Sequence, residues 1–250
     1  MKHKIILMLG VLLVIFSCKK EPNYLTKIKA ANLNITDSLE TIAELDEFIK
    51  PYRDHVNKDL DSVLAYSMDT YSKSDGELNT AIGNLLADLV YEQANPIFKS
   101  RTGKDIDFVM LNHGGIRSII SKGNITTRTA YEVMPFENSI VVTDLKGASV
   151  QELIDYLVRN KRAHPISGLS IELNSDFNLK KSLINGKPLD LTKNYMVCTN
   201  DYLANGGDHM NFFKERDSLY ILDYKIRNAL IDYFMKVDTI NPKIDNRFIQ

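Results

Sequence analysis

The sequence contains no tryptophan and only two cysteines in its 250 residues. Cys18 ends the apolar N-terminal segment, and Cys198 lies inside an apolar run at residues 195–199. Two cysteines in such positions exclude a disulfide framework. No base is placed near Cys198 by the sequence, so we expect it to be a buried, unreactive thiol rather than a nucleophile.

An excess of charge of either sign is also lacking. The formal net charge is -1 and the pI is about 6.5, so no broad positive surface favours a duplex nucleic acid as a partner. Hydrophobic residues make up 44% of the chain and charged residues 25%. This composition is typical of a globular protein rather than a disordered or fibrous one, and we expect one large domain.

No apolar run is long enough to span a membrane, which takes about 20 residues. The run at residues 5–16 follows two lysines and is typical of a signal-peptide core. Because Cys18 follows this core, the segment resembles a bacterial lipoprotein signal. We predict a lipoprotein signal peptide over residues 1–18, a polar tether over 19–36, and a lipid-anchored protein on the periplasmic or outer surface of the bacterial cell envelope. The alternative is an ordinary secreted protein with an incidental cysteine.

Common catalytic motifs are missing as well. The sequence has no Gly-x-Ser-x-Gly elbow, P-loop, dinucleotide-binding glycine motif or His-Glu-x-x-His helix. His113 and His209 each lie in a glycine-containing turn without a second ligand at a metal-binding spacing. We interpret them as turn residues or ligand contacts, and we predict no metal site.

The spacing of apolar residues predicts interleaved helices and strands. Helices are expected over residues 42–49, 85–90, 126–133, 150–157 and 224–235, with Asp37 or Ser38 capping the first, Pro51 ending or kinking it, Pro96 closing the second and Thr126 capping the third. Strands are expected over residues 63–70, 105–111, 139–145, 168–173, 181–184, 188–191, 195–199 and 247–249, with a hairpin turn at Asn185-Gly186 and a turn at Gly147. Since there is no regular βαβ repeat, residues 37–250 are expected to form an α+β domain with a mixed β-sheet and packed helices.

Two glycine pairs indicate a ligand pocket. The first follows the strand at 105–111 in the stretch 112–117, Asn-His-Gly-Gly-Ile-Arg, and the second lies in 201–208, Asp-Tyr-Leu-Ala-Asn-Gly-Gly-Asp. Adjacent glycines let backbone N–H groups converge on an anion without interference from Cβ atoms, and Arg117 adds a charged fork that suits phosphate or carboxylate. Each turn reads as one half of the pocket.

These stretches occur in an order that resembles a known family. The glycine turn at 112–117, Gly-Asn-Ile-Thr at 123–126, Pro-Phe-Glu-Asn at 135–138 and Tyr-Leu-Ala-Asn-Gly-Gly-Asp at 202–208 are similar to successive motifs of the C-terminal domain of 5′-nucleotidases and UDP-sugar hydrolases. Gly-Asn-Leu-Leu-Ala-Asp at 83–88 resembles an early helix of that domain. The resemblance covers roughly residues 42–248.

The resemblance implies a nucleotide- or nucleoside-binding site. Phe136 and Tyr202 match the two aromatic residues that sandwich the base, and Asn112 and Asn138 match residues that contact it. The full set of substrate-binding residues implied is Asn112, Gly114, Gly115, Arg117, Phe136, Asn138, Tyr202, Gly206, Gly207 and Asp208, with Asp208 accepting from ribose hydroxyls and Arg117 holding ribose or phosphate oxygens. The alternative for Phe136 is a core residue that follows a proline.

Three positions depart from the family pattern. The family usually has an arginine that helps to hold phosphate before the early helix, and the window 72–79 offers only Lys73. His209 stands where glycine is usual, and Asp201 where asparagine is common. Phosphate contact is therefore expected to be weaker or differently made.

The sequence also lacks the metal ligands of the metallophosphoesterase domain that precedes this domain in full-length enzymes of the family. We therefore assign no catalytic residue and no cofactor to this chain, and we expect divalent metals on a separate catalytic partner, so that whether the chain takes part in an enzyme stays open. It is interpreted as the nucleotide-binding, substrate-binding half of a nucleotide hydrolase whose metallophosphoesterase half is a separate chain. The alternatives are a nucleoside-capturing lipoprotein without a catalytic role, and a chain that is itself a hydrolase.

Overall fold

The computed structural model describes residues 24–36 and 38–250 of the chain. The chain divides into two units, residues 1–49 and 50–250. The predicted signal peptide with Cys18 lies outside the described residues, as does Asp37. Residues 24–36 form neither helix nor strand and are exposed, and the tether over 19–36 stays a prediction. In the described part of the chain, no helix combines the length and the apolar character needed to cross a bilayer.

Helices and strands alternate along the chain from residue 43 onward, and the first helix crosses the boundary between the two units. In chain order the helices are α1 (Ala43–Leu60), α2 (Ala81–Thr102), α3 (Thr127–Val133), α4 (Gly147–Asn160), α5 (Asp201–Ala204) and α6 (Ile226–Lys236). The strands are β1 (Val63–Ser67), β2 (Phe108–Met110), β3 (Gly123–Thr126), β4 (Ser139–Lys146), β5 (Ile166–Ser167), β6 (Leu169–Leu173), β7 (Leu179–Ile184), β8 (Asn194–Asn200), β9 (Ser218–Lys225), β10 (Thr239–Ile240) and β11 (Phe248–Ile249).

A five-stranded mixed sheet of order β5-β2-β8-β4-β9 lies at the centre of the larger unit. Strands β2 and β8 are parallel, and β4 is antiparallel to both β8 and β9. Two three-stranded sheets, of order β10-β1-β3 and β11-β6-β7, complete the strand pairing. The predicted α+β fold with a mixed sheet is confirmed.

The inner strands β2 and β8 of the central sheet are buried on both faces, to which successive residues of a strand point in turn. In β8, Met196 and Cys198 join the apolar cluster that contains α2, α3 and α6, while Tyr195 and Val197 join the cluster that contains α4. The packed strands therefore give a fixed base for the loops that follow them.

Helix α2 does not end at the proline, so that prediction is wrong. It runs through Pro96 to Thr102 and buries Ala94 and Phe98 on either side of the proline. A proline inside a helix costs about 3 kcal/mol, which the burial of Phe98 alone offsets in large part. The helix ends instead at Gly103, which has the left-handed φ of 72° and donates from its N–H to Lys99 O.

Helix α1 differs from its prediction in both bounds and packing. It begins at Ala43 rather than after a cap at Ser38, and it continues through Pro51 to Leu60. Its apolar residues Leu45 and Ile49 are exposed rather than packed into a core. The periodicity correctly indicated a helix, but an amphipathic period does not say what covers the apolar face.

The hairpin turn at Asn185-Gly186 is present, with φ values of 48° and 77°. However, the strand predicted over 188–191 is wrong. The pairing stops at an isolated bridge between Ile184 and Lys187, since Pro188 has no N–H to donate. The predicted turn at Gly147 falls where β4 ends and α4 begins, and a Cβ on this glycine would lie 2.5 Å from Asp190 O. Glycine is required at 147 for close backbone approach.

Candidate functional site

Three sequence motifs meet at one end of the central sheet, where its parallel strands finish. The turn His113–Gly115 follows β2, and α5 follows β8. Because β2 and β8 are parallel, their carboxyl ends lie at the same end of the sheet. Strand β4 runs in the opposite direction with Ile140 beside Asn200, so the segment 135–138 that precedes β4 reaches that end too. Ligands of sheets with parallel strands bind at such carboxyl ends.

A pocket of about 330 Å³ lies where these motifs meet. It is lined by seven residues of the predicted set: Asn112, Gly114, Arg117, Phe136, Asn138, Tyr202 and Asp208. Gly206 and Gly207 line an adjoining open depression that shares Asn138 and Tyr202 with the pocket. Gly115 is buried beneath Asn112, and a Cβ there would lie 3.2 Å from the Asn112 amide oxygen. The structure thus brings the whole predicted set together, with Gly115 in a supporting position.

The two predicted stacking rings are both available to a ligand. Phe136 is 43% exposed and Tyr202 is 45% exposed. Since the two residues lie on different loops and line the same pocket, the alternative of Phe136 as a core residue is not what the structure shows.

Tyr202 is held in place by its own loop. Its hydroxyl donates to Asp208 Oδ1 at 2.9 Å and accepts from Asp208 N at 3.2 Å. A Cβ at Gly207 would lie 2.5 Å from the Tyr202 ring, so glycine is required there. The next two residues, Asp208 and His209, have left-handed φ values of 51° and 62°. Such a backbone is costly for residues other than glycine and is often found at binding sites.

Asn200 orients Asn112, a link that sequence reasoning missed. The fully buried Asn200 side chain donates from Nδ2 to Asn112 Oδ1 at 3.0 Å, and its own Oδ1 accepts from Leu203 N at 2.8 Å. Within the described residues the Asn112 Nδ2 group has no acceptor, and this residue lines the pocket. Asn112 therefore offers its two N–H groups to a ligand.

Three basic side chains lie around the first glycine turn and form what we call the basic rim: Lys73, Arg117 and Arg162. Lys73 Nζ donates to Ile116 O at 2.8 Å. Burial, followed by the positive charges of Arg117 and Arg162, lowers the pKa of Lys73. Among the ion pairs between described residues, none involves Lys73, Arg117 or Arg162. These like charges lie together without an ion-pair partner among the described residues, an arrangement that suits an anionic ligand.

Other potential reactive groups are tied up. His113 Nδ1 is hydrogen-bonded to Ala163 O at 3.0 Å, and the described residues hold no group of three or more metal-binding side chains. Burial raises the pKa of the Cys198 thiol, which therefore stays protonated.

The comparisons with known proteins agree with this geometry. The family described as 5′-nucleotidase, C-terminal domain, matches residues 60–215. A cell wall protein of Listeria monocytogenes, Lmo0130, is 28% identical over 80% of this chain and 26% of its own length. A 5′-nucleotidase of Vibrio vulnificus is 28% identical over 72% of this chain and 32% of its own length. The crystal structure of a 5′-nucleotidase precursor from Thermus thermophilus has the same fold, with a TM-score of 0.69 and 24% identity over 82% of this chain and 42% of that one.

The chain belongs to the 5′-nucleotidase C-terminal domain family. It spans less than half the length of each of the three relatives named above. What the family match covers is the domain that carries the pocket, including all ten predicted site residues.

His164 connects the two glycine motifs from behind the pocket. It is buried, its Nδ1 accepts from His113 N at 3.3 Å, and its ring packs edge-on against Tyr156. The Tyr156 hydroxyl donates to Asp208 O at 2.9 Å. Burial is the main cause that lowers the pKa of His164 to about 4.

We predict that His164 makes stability depend on pH between about 6.5 and 4. The unfolded state takes up the proton first, since its pKa is the higher one, so the free energy of unfolding falls by up to about 3 kcal/mol as the pH falls through this window. Urea unfolding at pH 7.5, 6 and 5 measures the slope. His164→Gln should flatten it relative to the parent protein, whereas the exposed His55→Gln should not. Equal slopes in all three proteins would contradict the prediction.

Proposed function

We propose that this protein binds a nucleotide with the base stacked between Phe136 and Tyr202. The observation that carries the proposal is that these two exposed rings, 66 positions apart in the sequence, line one pocket at the ends of neighbouring strands. Stacking on an aromatic ring is worth about 1–3 kcal/mol per base and does not depend on which base is bound. The amides of Asn112 and Asn138 supply donors and acceptors for the base edge.

The wall formed by Asp208 suits a ribose. One carboxylate oxygen accepts from the Tyr202 hydroxyl, and the other makes no hydrogen bond to the described residues. A carboxylate oxygen so placed accepts from sugar hydroxyls. The same loop would therefore hold both the base and the sugar.

The basic rim favours a nucleotide over a free nucleoside. A nucleoside brings no negative charge to offset Lys73, Arg117 and Arg162, whereas a 5′-phosphate does. This argues against the alternative of a nucleoside-capturing lipoprotein. Of the two sequence expectations, weaker phosphate contact or contact made differently, it favours the second.

We further propose that the protein is the substrate-binding half of a nucleotide hydrolase, with a separate metallophosphoesterase chain that supplies the metals and the attacking water. The Vibrio vulnificus relative, a 5′-nucleotidase, supports this, because the matched segment is one third of that protein. A lipid at Cys18 and the tether at 19–36 would hold the protein on the bacterial cell envelope. The name of the Listeria relative, a cell wall protein, agrees with that location.

Replacing either ring should weaken binding. Phe136→Ala and Tyr202→Ala are each expected to lower the affinity for AMP by about 5- to 100-fold, as loss of one stacking contact implies. Calorimetry and thermal shift with AMP, adenosine, UMP and UDP-glucose measure this. Tyr66→Ala, which removes an exposed ring of β1 outside the pocket, is the matched control. Unchanged affinity in both ring variants would remove the basis of the proposal.

Lys73→Ala should separate phosphate from base recognition. We expect it to lower the affinity for AMP about tenfold and to leave the affinity for adenosine unchanged, because the lost charge faces the phosphate alone. Lys104→Ala removes an exposed lysine of the α2–β2 loop and serves as control. A loss of the same size for adenosine would show that Lys73 does not contact phosphate.

The two-chain hydrolase is tested by mixing. The pure protein with Mg²⁺, Mn²⁺ or Zn²⁺ is expected to release no phosphate from AMP, and a purified metallophosphoesterase chain should hydrolyse low concentrations of AMP faster when the protein is added. The doubly substituted Phe136→Ala, Tyr202→Ala protein should give no stimulation. Metal-dependent phosphate release by the protein alone, or an unchanged rate on mixing, would overturn this part of the proposal.

A further inference from the structure

The side chain of Phe136 is not packed into the core. Its ring is 43% exposed, and the recorded ring contact is with Arg117, whose guanidinium carbon lies 5.8 Å from the ring centroid. A half-exposed ring on a loop loses side-chain and backbone freedom when a ligand stacks on it, and that loss reduces affinity unless the loop is already ordered. The position of this ring therefore depends on what holds the backbone on either side of it.

The start of α6 holds that backbone. Arg227 Nη1 donates to Pro135 O at 3.2 Å, and Nη2 forms an ion pair with the Glu137 carboxylate. The guanidinium thus contacts the residue before Phe136 and the residue after it. Its hydrogen bond and charge lower the pKa of Glu137, which is therefore ionised at neutral pH.

Arg227 is itself locked in place. The residue is 6% exposed, and its guanidinium lies 4.1 Å above the ring of Tyr131 in α3. Its Nε is buried without a hydrogen-bond partner among the described residues, a cost of about 1–3 kcal/mol. The unsatisfied Nε lowers the stability of the fold, whereas the hydrogen bond and the ion pair of the same guanidinium both go to the segment around Phe136.

The two residues before Arg227 bind the same segment, and we call the contacts of residues 225–227 with the segment 135–139 the tie. Lys225 Nζ donates to Glu137 O at 2.6 Å and to Ser139 Oγ at 3.0 Å, and Ile226 N donates to Asn138 O at 3.1 Å. Three consecutive residues, the last of β9 and the first two of α6, therefore bind four of the five residues in the segment 135–139. Sequence reasoning missed this contact, because these residues lie about 90 positions from the segment.

We propose that Arg227 is a positioning residue, which, with Lys225, fixes the segment 135–139 and so presents the Phe136 ring to the pocket before a ligand binds. The inference rests on the proposed function only for the ligand that stacks on the ring. The contacts of Arg227 and Lys225 with the segment do not depend on it. The inference predicts that loosening the tie frees residue 136 in the absence of any ligand.

The absence of tryptophan provides a direct reporter. In Phe136→Trp, the indole is the only one in the chain, and its fluorescence anisotropy reports the mobility of position 136. In this background Arg227→Gln and Glu137→Gln should lower the anisotropy, while Arg101→Gln should not. Arg101 is a matched control, since it also donates to two backbone carbonyls, Ile221 O and Leu222 O, away from the pocket. Circular dichroism and thermal unfolding identify the variants that are folded.

Ligand binding supplies a second readout through a double-mutant cycle. Arg227→Gln should lower the affinity for AMP about tenfold in the parent protein, and about twofold or less in a Phe136→Ala background, because the ring that it positions is gone. If Arg227→Gln fails to fold, the exposed Glu137→Gln and Lys225→Ala decide the question. Unchanged anisotropy in the folded variants overturns the inference, as does an equal loss of affinity in both backgrounds. Loss of anisotropy without any nucleotide binding would leave the tie standing and refute the proposed function instead.

Discussion

The parallel pairing of β2 with β8, with β4 antiparallel beside it, is the constraint on which the site depends. This pairing brings three segments of the chain, 112–117, 135–138 and 201–208, to the same end of the sheet. A shift of the inner strands by one residue would exchange the side chains that pack into the two apolar clusters, and each cluster is close-packed around the side chains that it now holds. The strand ends that carry the pocket segments are therefore held in place by the core.

The two rings of the pocket are placed by different physical means. The hydroxyl of Tyr202 is bonded to Asp208 within the same loop, and its ring lies on the bare backbone of Gly207. Phe136 has no polar atom on its ring, so its position has to come from its backbone, which Lys225 at the end of β9 and Arg227 in α6 hold. The Tyr202 side of the pocket is thus held by contacts within one loop, whereas the Phe136 side depends on tertiary contacts.

This difference explains how much of the molecule was predictable. Motifs that are local in sequence, such as the Thr126 cap with its reciprocal hydrogen bonds to Thr129 and the glycine turns, were read correctly. Wrong predictions came where tertiary packing overrides a local rule, as when α2 continues through Pro96. Missed residues such as Asn200, Arg162 and Arg227 act through partners far away in the sequence, which no periodicity or spacing reveals. Edge strand β9 was missed as well, and its exposed Ile221 gives no clear alternation.

Charge is unevenly distributed around the pocket, and this asymmetry orients a ligand. Arg117 and the other cations of the basic rim surround the turn after β2, whereas Asp208 lies on the loop after β8. A ligand with an anionic end and a hydroxyl-rich middle gains from both sides in one orientation, and in the reverse orientation it would bring its anion against a carboxylate. Under the proposed function, the carboxylate of Asp208 beside Tyr202 adds specificity that stacking alone does not give, since a ring accepts any flat base in either orientation. In that proposal the rings supply affinity for a base, and the charges set the direction in which the rest of the ligand extends.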